Sequence, residues 1–156
     1  MKRILLFAVV LAVPLAAQEV QQRVQGYGYF GLMGSDNVTF GKTLNPGLGA
    51  EIFVYKGLAA SFDAGYAGYY NNFRADGFGL FSPDVSYHFK NSTRVEPFLS
   101  AGYTLGFRDS TVNMGNYGGG LICWFSKHAG FRMEARDHRD ANGQFFTALR
   151  FGVSFR

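Results

Sequence analysis

From Phe131 to Arg136 the residue types alternate strictly, with Phe131, Met133 and Ala135 set against Arg132, Glu134 and Arg136. Side chains two apart stand on the same face of a strand. This stretch therefore has one apolar and one strongly charged face. The pattern recurs along the chain in segments of about ten residues separated by turn signals, and helical periodicity is weak. No apolar run beyond the N-terminus is long enough for a spanning helix. Such a chain is confined to antiparallel β architectures, and the question becomes which of its two faces is inside.

Eight strands are predicted: Arg23–Met33, Leu48–Tyr55, Leu58–Tyr70, Gly77–Phe89, Arg94–Phe107, Asn116–Phe125, the segment containing Phe131–Arg136, and Phe145–Arg156. Facing is clear for six of them. It is ambiguous for the first, where both alternating sets contain apolar residues, and for the glycine-rich sixth. Pro83 and Pro97 fall inside predicted strands, although proline cannot donate to a ladder. The turns Lys56-Gly57, Lys90–Thr93 and Ser126–Gly130 are short, and Ala141–Gly143 marks the last turn. Gly34–Gly47 and Arg108–Gly115 read as longer loops, and Asn71–Asp76 as intermediate.

The first residues have a separate logic. Lys2 and Arg3 precede an apolar run from Ile4 to Leu15, broken only by Pro14, and small Ala16 and Ala17 follow. That is the layout of a secretory signal peptide cleaved near Ala17. An anchor helix would need about 20 apolar residues. Residues 1–17 are thus expected to be removed, leaving 18–156 as one domain. Removing Lys2 and Arg3 lowers the formal net charge from +4 to about +2, which takes away the support for nucleic-acid binding. Charged residues make up 17% of the chain, below the usual ~25%, and aromatics another 17%, which excludes a disordered chain. The lone Cys123 forms no internal disulfide, and no cysteine stands at the cleavage site to carry a lipid.

An even number of antiparallel strands behind a signal, with short turns at one end and longer loops at the other, predicts an all-β, eight-stranded, up-and-down transmembrane barrel. Both chain ends and the short turns would lie in the periplasm. Charge placement supports this facing. Every lysine of the mature chain (Lys42, Lys56, Lys90, Lys127) falls in a turn or loop, whereas the strand bases are arginines. Arginine is the residue suited to enclosed, bidentate pairs with carboxylates. The predicted interior is therefore an ion network in which Arg132, Arg136 and Arg150 meet Glu51, Asp63, Asp84, Glu96 and Glu134. The apolar set would face lipid. Aromatics near strand ends, among them Tyr55, Tyr87, Phe89, Phe107, Tyr117, Trp124, Phe125 and Phe155, would form interfacial belts. Beyond Arg136 the alternation is expected to lapse, so that "DHRD" (137–140) makes a polar rim.

The stretches "DVSYHF" (84–89), "VEPFLSAGYTLGF" (95–107), "GGGLICWF" (118–125) with "GFRMEARDHR" (130–139), and the final strand resemble the small outer-membrane β-barrel family, as in the transmembrane domain of outer membrane protein A. The resemblance spans nearly the whole chain after the signal. It implies a monomeric barrel in the outer membrane of a diderm bacterium, with lipid and the barrel-assembly machinery as partners. It also implies a terminal assembly signal, onto which Arg150, Gly152 and Phe155 map, with Arg156 last as a departure from the terminal aromatic.

Chemistry is sparse. His88, His128 and His138 lack the short paired spacing of a zinc site. His88 is expected inside, and the other two in exposed turns. Lipid A deacylases among the small barrels use a His-x-Ser pair, whereas this chain has Ser126-Lys127-His128 in reverse order. Neither a cofactor nor a metal nor catalysis is expected. Three readings stay open: a structural or surface-interaction barrel, a narrow ion-conducting pore, and a secreted soluble lipocalin-like binding barrel.

Overall fold

The computed structural model describes residues 24–35, 38–73, 77–89 and 94–156. The expected signal peptide lies outside these. The described residues form eight strands: β1 (Val24–Ser35), β2 (Val38–Tyr55), β3 (Leu58–Tyr69), β4 (Phe78–His88), β5 (Val95–Phe107), β6 (Thr111–Trp124), β7 (Ala129–Asp140) and β8 (Phe145–Phe155). A single 3-10 turn, Tyr70–Asn72, follows β3. Each strand pairs antiparallel with the next, and β1 also pairs with β8, from Gly26 opposite Phe155 to Ser35 opposite Phe146. The sheet closes on itself, so it has no free edge to pair with another chain.

Local chemistry sets the connections. Lys56-Gly57 turns β2 into β3 with both residues at positive φ (32° and 95°), the requirement of a two-residue hairpin on a twisted ladder. A side chain at Gly57 would also strike the His88 carbonyl. At the other end, the segments expected as long loops are mostly strand. β2 begins at Val38 and β6 at Thr111, which leaves only Arg108–Ser110 between β5 and β6. Val38, Thr39, Phe40, Thr111 and Val112 suit a pleated surface. Continued pairing also gives their backbone groups partners that a loop would have to find elsewhere. The prolines leave local gaps instead of ending strands. The β4–β5 ladder runs from Phe81–Leu105 to Asp84–Gly102 in unchanged register and skips Ser82 and Pro83. The β2–β3 ladder skips Asn45 and Pro46 in the same way.

The barrel's burial is inverted relative to a soluble protein. Its outer wall exposes Phe30, Leu48, Ile52, Val54, Phe62, Val85, Leu99, Phe151 and many similar residues. Its interior holds Arg132, Arg136, Arg150, Glu51, Asp63 and Glu134, all almost completely buried. The two strands of ambiguous facing are settled. Gln25, Tyr27, Tyr29 and Met33 of β1 point inward, as do Met114, Asn116, Ile122 and Trp124 of β6.

Three expectations are corrected here. Trp124 is not a belt residue, because it points into the lumen and donates its Nε1–H to Glu96 at 3.0 Å. His138 is not in an exposed turn but is buried inside β7, with Nδ1 3.0 Å from the Thr104 hydroxyl. The alternation does not lapse after Arg136. β7 continues to Asp140, His138 faces in, and Asp137 and Arg139 face out. The strand outlasts its apolar face because inward and outward polar groups both find partners there.

Candidate functional site: the filled lumen

β7 carries Arg132, Glu134 and Arg136 at successive inward positions, so charges alternate along one line. Their partners come from strands across the barrel. Arg136 donates from Nη1 to Asp63 Oδ2 (2.6 Å) and Asp84 Oδ2 (2.7 Å), and from Nε to Glu134 Oε1 (2.6 Å). Arg132 donates to both Glu51 oxygens and to Glu134 Oε2, each at 3.3 Å. Its guanidinium lies between the rings of Tyr27 (4.1 Å) and Phe98 (4.0 Å). Contact with aromatic rings suits a weakly hydrated planar cation. Arg150 reaches Asn45 Oδ1 (3.2 Å) and Asp63 Oδ2 (3.4 Å) over the ring of Tyr29. Neutral side chains also donate to the carboxylates. Tyr29 donates its hydroxyl proton to Asp63, and Asn116 donates to Asp84 and to Thr104.

Glu96 stands apart from the three arginines with which it was grouped. It sits one layer lower, against His88 Nδ1 (2.9 Å), Trp124 Nε1 (3.0 Å) and Arg156 Nη1 (3.7 Å). Arg156 also stacks on the Trp124 ring at 3.9 Å. The residues mapped to an assembly signal are not gathered: Arg150 faces the lumen, Gly152 packs against the β1 backbone at Gly28, and Phe155 is exposed on the outer wall.

Apolar layers flank the charges. Towards the Lys56-Gly57 end lie Phe98, Ile122 and Trp124. Towards the opposite end, Met33, Ala67, Leu80, Met114 and Ala148 form a second cluster, with Phe78 and Phe146 packed on it.

Sequence reasoning did not single out Tyr27, Tyr29, Asn45 or Asn116, and it placed the buried His138 in an exposed turn. A signal was present in the glycines opposite. A side chain at Gly49 would strike the Tyr27 ring, and one at Gly47 or Gly65 would strike Tyr29. Glycines on β2 and β3 thus mark where large inward residues of β1 must lie. Ser126 and His128 make turn contacts: Ser126 Oγ accepts from the His128 and Ala129 amides, and His128 Nδ1 lies 3.1 Å from the Arg156 carbonyl. Among the described residues, no group of three His, Cys, Asp or Glu side chains is placed to hold a metal ion.

An apolar outer wall around a charged, hydrogen-bonded lumen defines a transmembrane β-barrel, because only a closed barrel satisfies every strand's backbone in lipid. Comparison with solved structures places the fold among the eight-stranded outer-membrane barrels. The N-terminal β-barrel domain of Pseudomonas aeruginosa OprF is similar over 86% of this chain and 98% of that one, with TM-score 0.63 and 20% identity. Neisserial surface protein A is similar over 85% and 94%, with TM-score 0.64 and 15% identity. The attachment invasion locus protein Ail of Yersinia pestis is similar over 85% and 96%, with TM-score 0.59 and 12% identity. The outer membrane enzyme PagL shares the fold more distantly, with TM-score 0.53. No protein-family profile matches the sequence, and no curated protein matches it.

Proposed function

We propose that the protein is a sealed, monomeric outer-membrane barrel whose role is structural or surface-interactive, rather than a pore or an enzyme. One observation carries this reading: the arginine–carboxylate network fills the lumen between two apolar layers. Eight strands leave an interior that side chains can fill, and the buried arginines, carboxylates and tyrosines support that reading here. An ion would have to part the network and also pass the apolar clusters on either side of it. The family resemblance supports an orientation with both chain ends and the Lys56-Gly57 turn in the periplasm, and supports delivery by the barrel-assembly machinery. The soluble lipocalin-like reading is disfavoured, since such a barrel keeps its apolar face inside.

Two measurements test the proposal. Folded protein should be recovered from outer membranes only with detergent and should shift on gels when heated. In planar bilayers it should be electrically silent. Discrete conductance from well-folded protein would replace the sealed reading with the narrow pore, and a water-soluble monomer would overturn both.

A further inference from the structure

The outer wall is not uniform. The row Val85–Ala101–Tyr117–Asp137–Thr147 crosses β4 to β8 as paired neighbours. At its β4–β6 end lies an open apolar groove lined by Val85, Tyr87, Leu99, Ala101, Tyr117 and Gly118. Small Ala101 and Gly118 lie between the larger side chains. Counted from the Lys56-Gly57 end of the barrel, Val85 is low on its strand and Asp137 high, so the row climbs as it passes around the wall.

Above the groove the apolar belt is interrupted. Tyr103 of β5 pairs with Gly115 of β6, which pairs with Arg139 of β7. An exposed cation, Arg139, thus stands high on β7, one residue from the end of the strand. Asp137 pairs with that cation through the arginine Nε. Its side chain is only 16% exposed, and it accepts from Tyr117 Oη (2.7 Å), Thr147 Oγ1 (2.9 Å) and Arg139 Nε (2.9 Å). Arg139, 60% exposed, uses Nε in that contact and has its guanidinium 5.7 Å from the Tyr117 ring. The acid and the ring brace the arginine, and its outer edge faces the surroundings.

We infer that this wall binds a phosphate-bearing membrane lipid, with an acyl chain in the Val85–Tyr117 groove and its phosphate on Arg139. Lipid is the solvent on this surface, so an apolar groove there takes a chain. A braced guanidinium at its upper end matches phosphate in charge and geometry. The inference rests on the membrane-spanning reading but not on which end faces outward. It is separable from the sealed-lumen proposal, which is read by conductance.

The test uses the folded barrel in neutral detergent micelles, with native mass spectrometry of retained dilauroyl phosphatidic acid against dilauroylglycerol, which has the same chains without phosphate. The wild type should retain the phosphatidate about tenfold better, the factor that corresponds to one charged hydrogen bond of ordinary strength. Arg139→Gln should abolish that preference while leaving weak retention of both lipids. Ala101→Phe, or the milder Ala101→Leu should the first fold poorly, should lower retention of both. Lys56→Gln, at the opposite end, should change neither. Equal retention of the two lipids by the wild type would overturn the inference, as would a preference that survives Arg139→Gln, or groove variants that bind like the wild type.

Discussion

Arg136 holds carboxylates from three strands through two of its nitrogens. Removing it would leave Asp63, Asp84 and Glu134 facing one another without their shared cation. Breaking a buried ion pair by deleting one partner costs about 3–5 kcal/mol, so Arg136→Ala should lower stability by that amount in urea unfolding from detergent. Arg136→Lys, which keeps the charge but loses the fork, should fall between. Arg139→Ala, on the exposed wall, should cost under about 1 kcal/mol. Equal losses at 136 and 139 would mean that the lumen is solvated. A second residue-scale test concerns the fit of tyrosine to glycine. A Cβ at Gly65 would lie 2.6 Å from Tyr29 Oη, so Gly65→Ala should cost about 1–3 kcal/mol by overpacking. Combined with Tyr29→Phe, which removes that oxygen, the loss should be smaller than the sum of the two single changes. Additive losses would show that the hydroxyl is not what limits the site.

The strands differ in how legible they were in the sequence, and the reason is chemical. On β3, β7 and β8, acids, bases and serines alternate with aliphatics, so the lumen face could be read off directly. On β1 and β6 the alternation is Tyr or Asn against Gly, types that suit either face, and only the tertiary fit decides. Trp124 was misread because position near a strand end carries no information on facing, whereas its Nε1–H had a buried acceptor in Glu96. The upper parts of β2 and β6 were missed because pairing there is sustained by the barrel's continuing ladders rather than by amphipathic pattern. Thr111 to Gly115 pairs residue for residue with Phe107 to Tyr103. Hydrogen exchange should show this. Peptides covering 111–115 should be protected more like those covering 118–122 than like Arg108–Ser110. Rapid exchange throughout 111–115 would return that segment to a loop.

As a whole the molecule holds a charged interior between two apolar clusters, and that arrangement has a consequence for salt. Surface charge pairs weaken as ionic strength rises, since the Debye length shrinks to about 3 Å at 1 M, whereas buried pairs are screened much less. Arg132, Arg136 and Arg150 and their carboxylate partners are buried between the Phe98–Ile122–Trp124 layer and the Met33–Leu80–Met114 layer. The thermal unfolding midpoint in neutral detergent should therefore stay nearly constant from low salt to about 1 M. The double variant Met33→Ser/Met114→Ser puts hydroxyls in place of two long side chains of one apolar layer and should admit water and ions. Its midpoint should then fall as salt is added, and the fall should disappear when Arg136→Ala removes the hub of the network. Salt sensitivity in the wild type would mean that the ends already leak, and the same preparation should then conduct in a planar bilayer. Salt independence in the double variant would place the seal in the ion network itself rather than in the apolar layer.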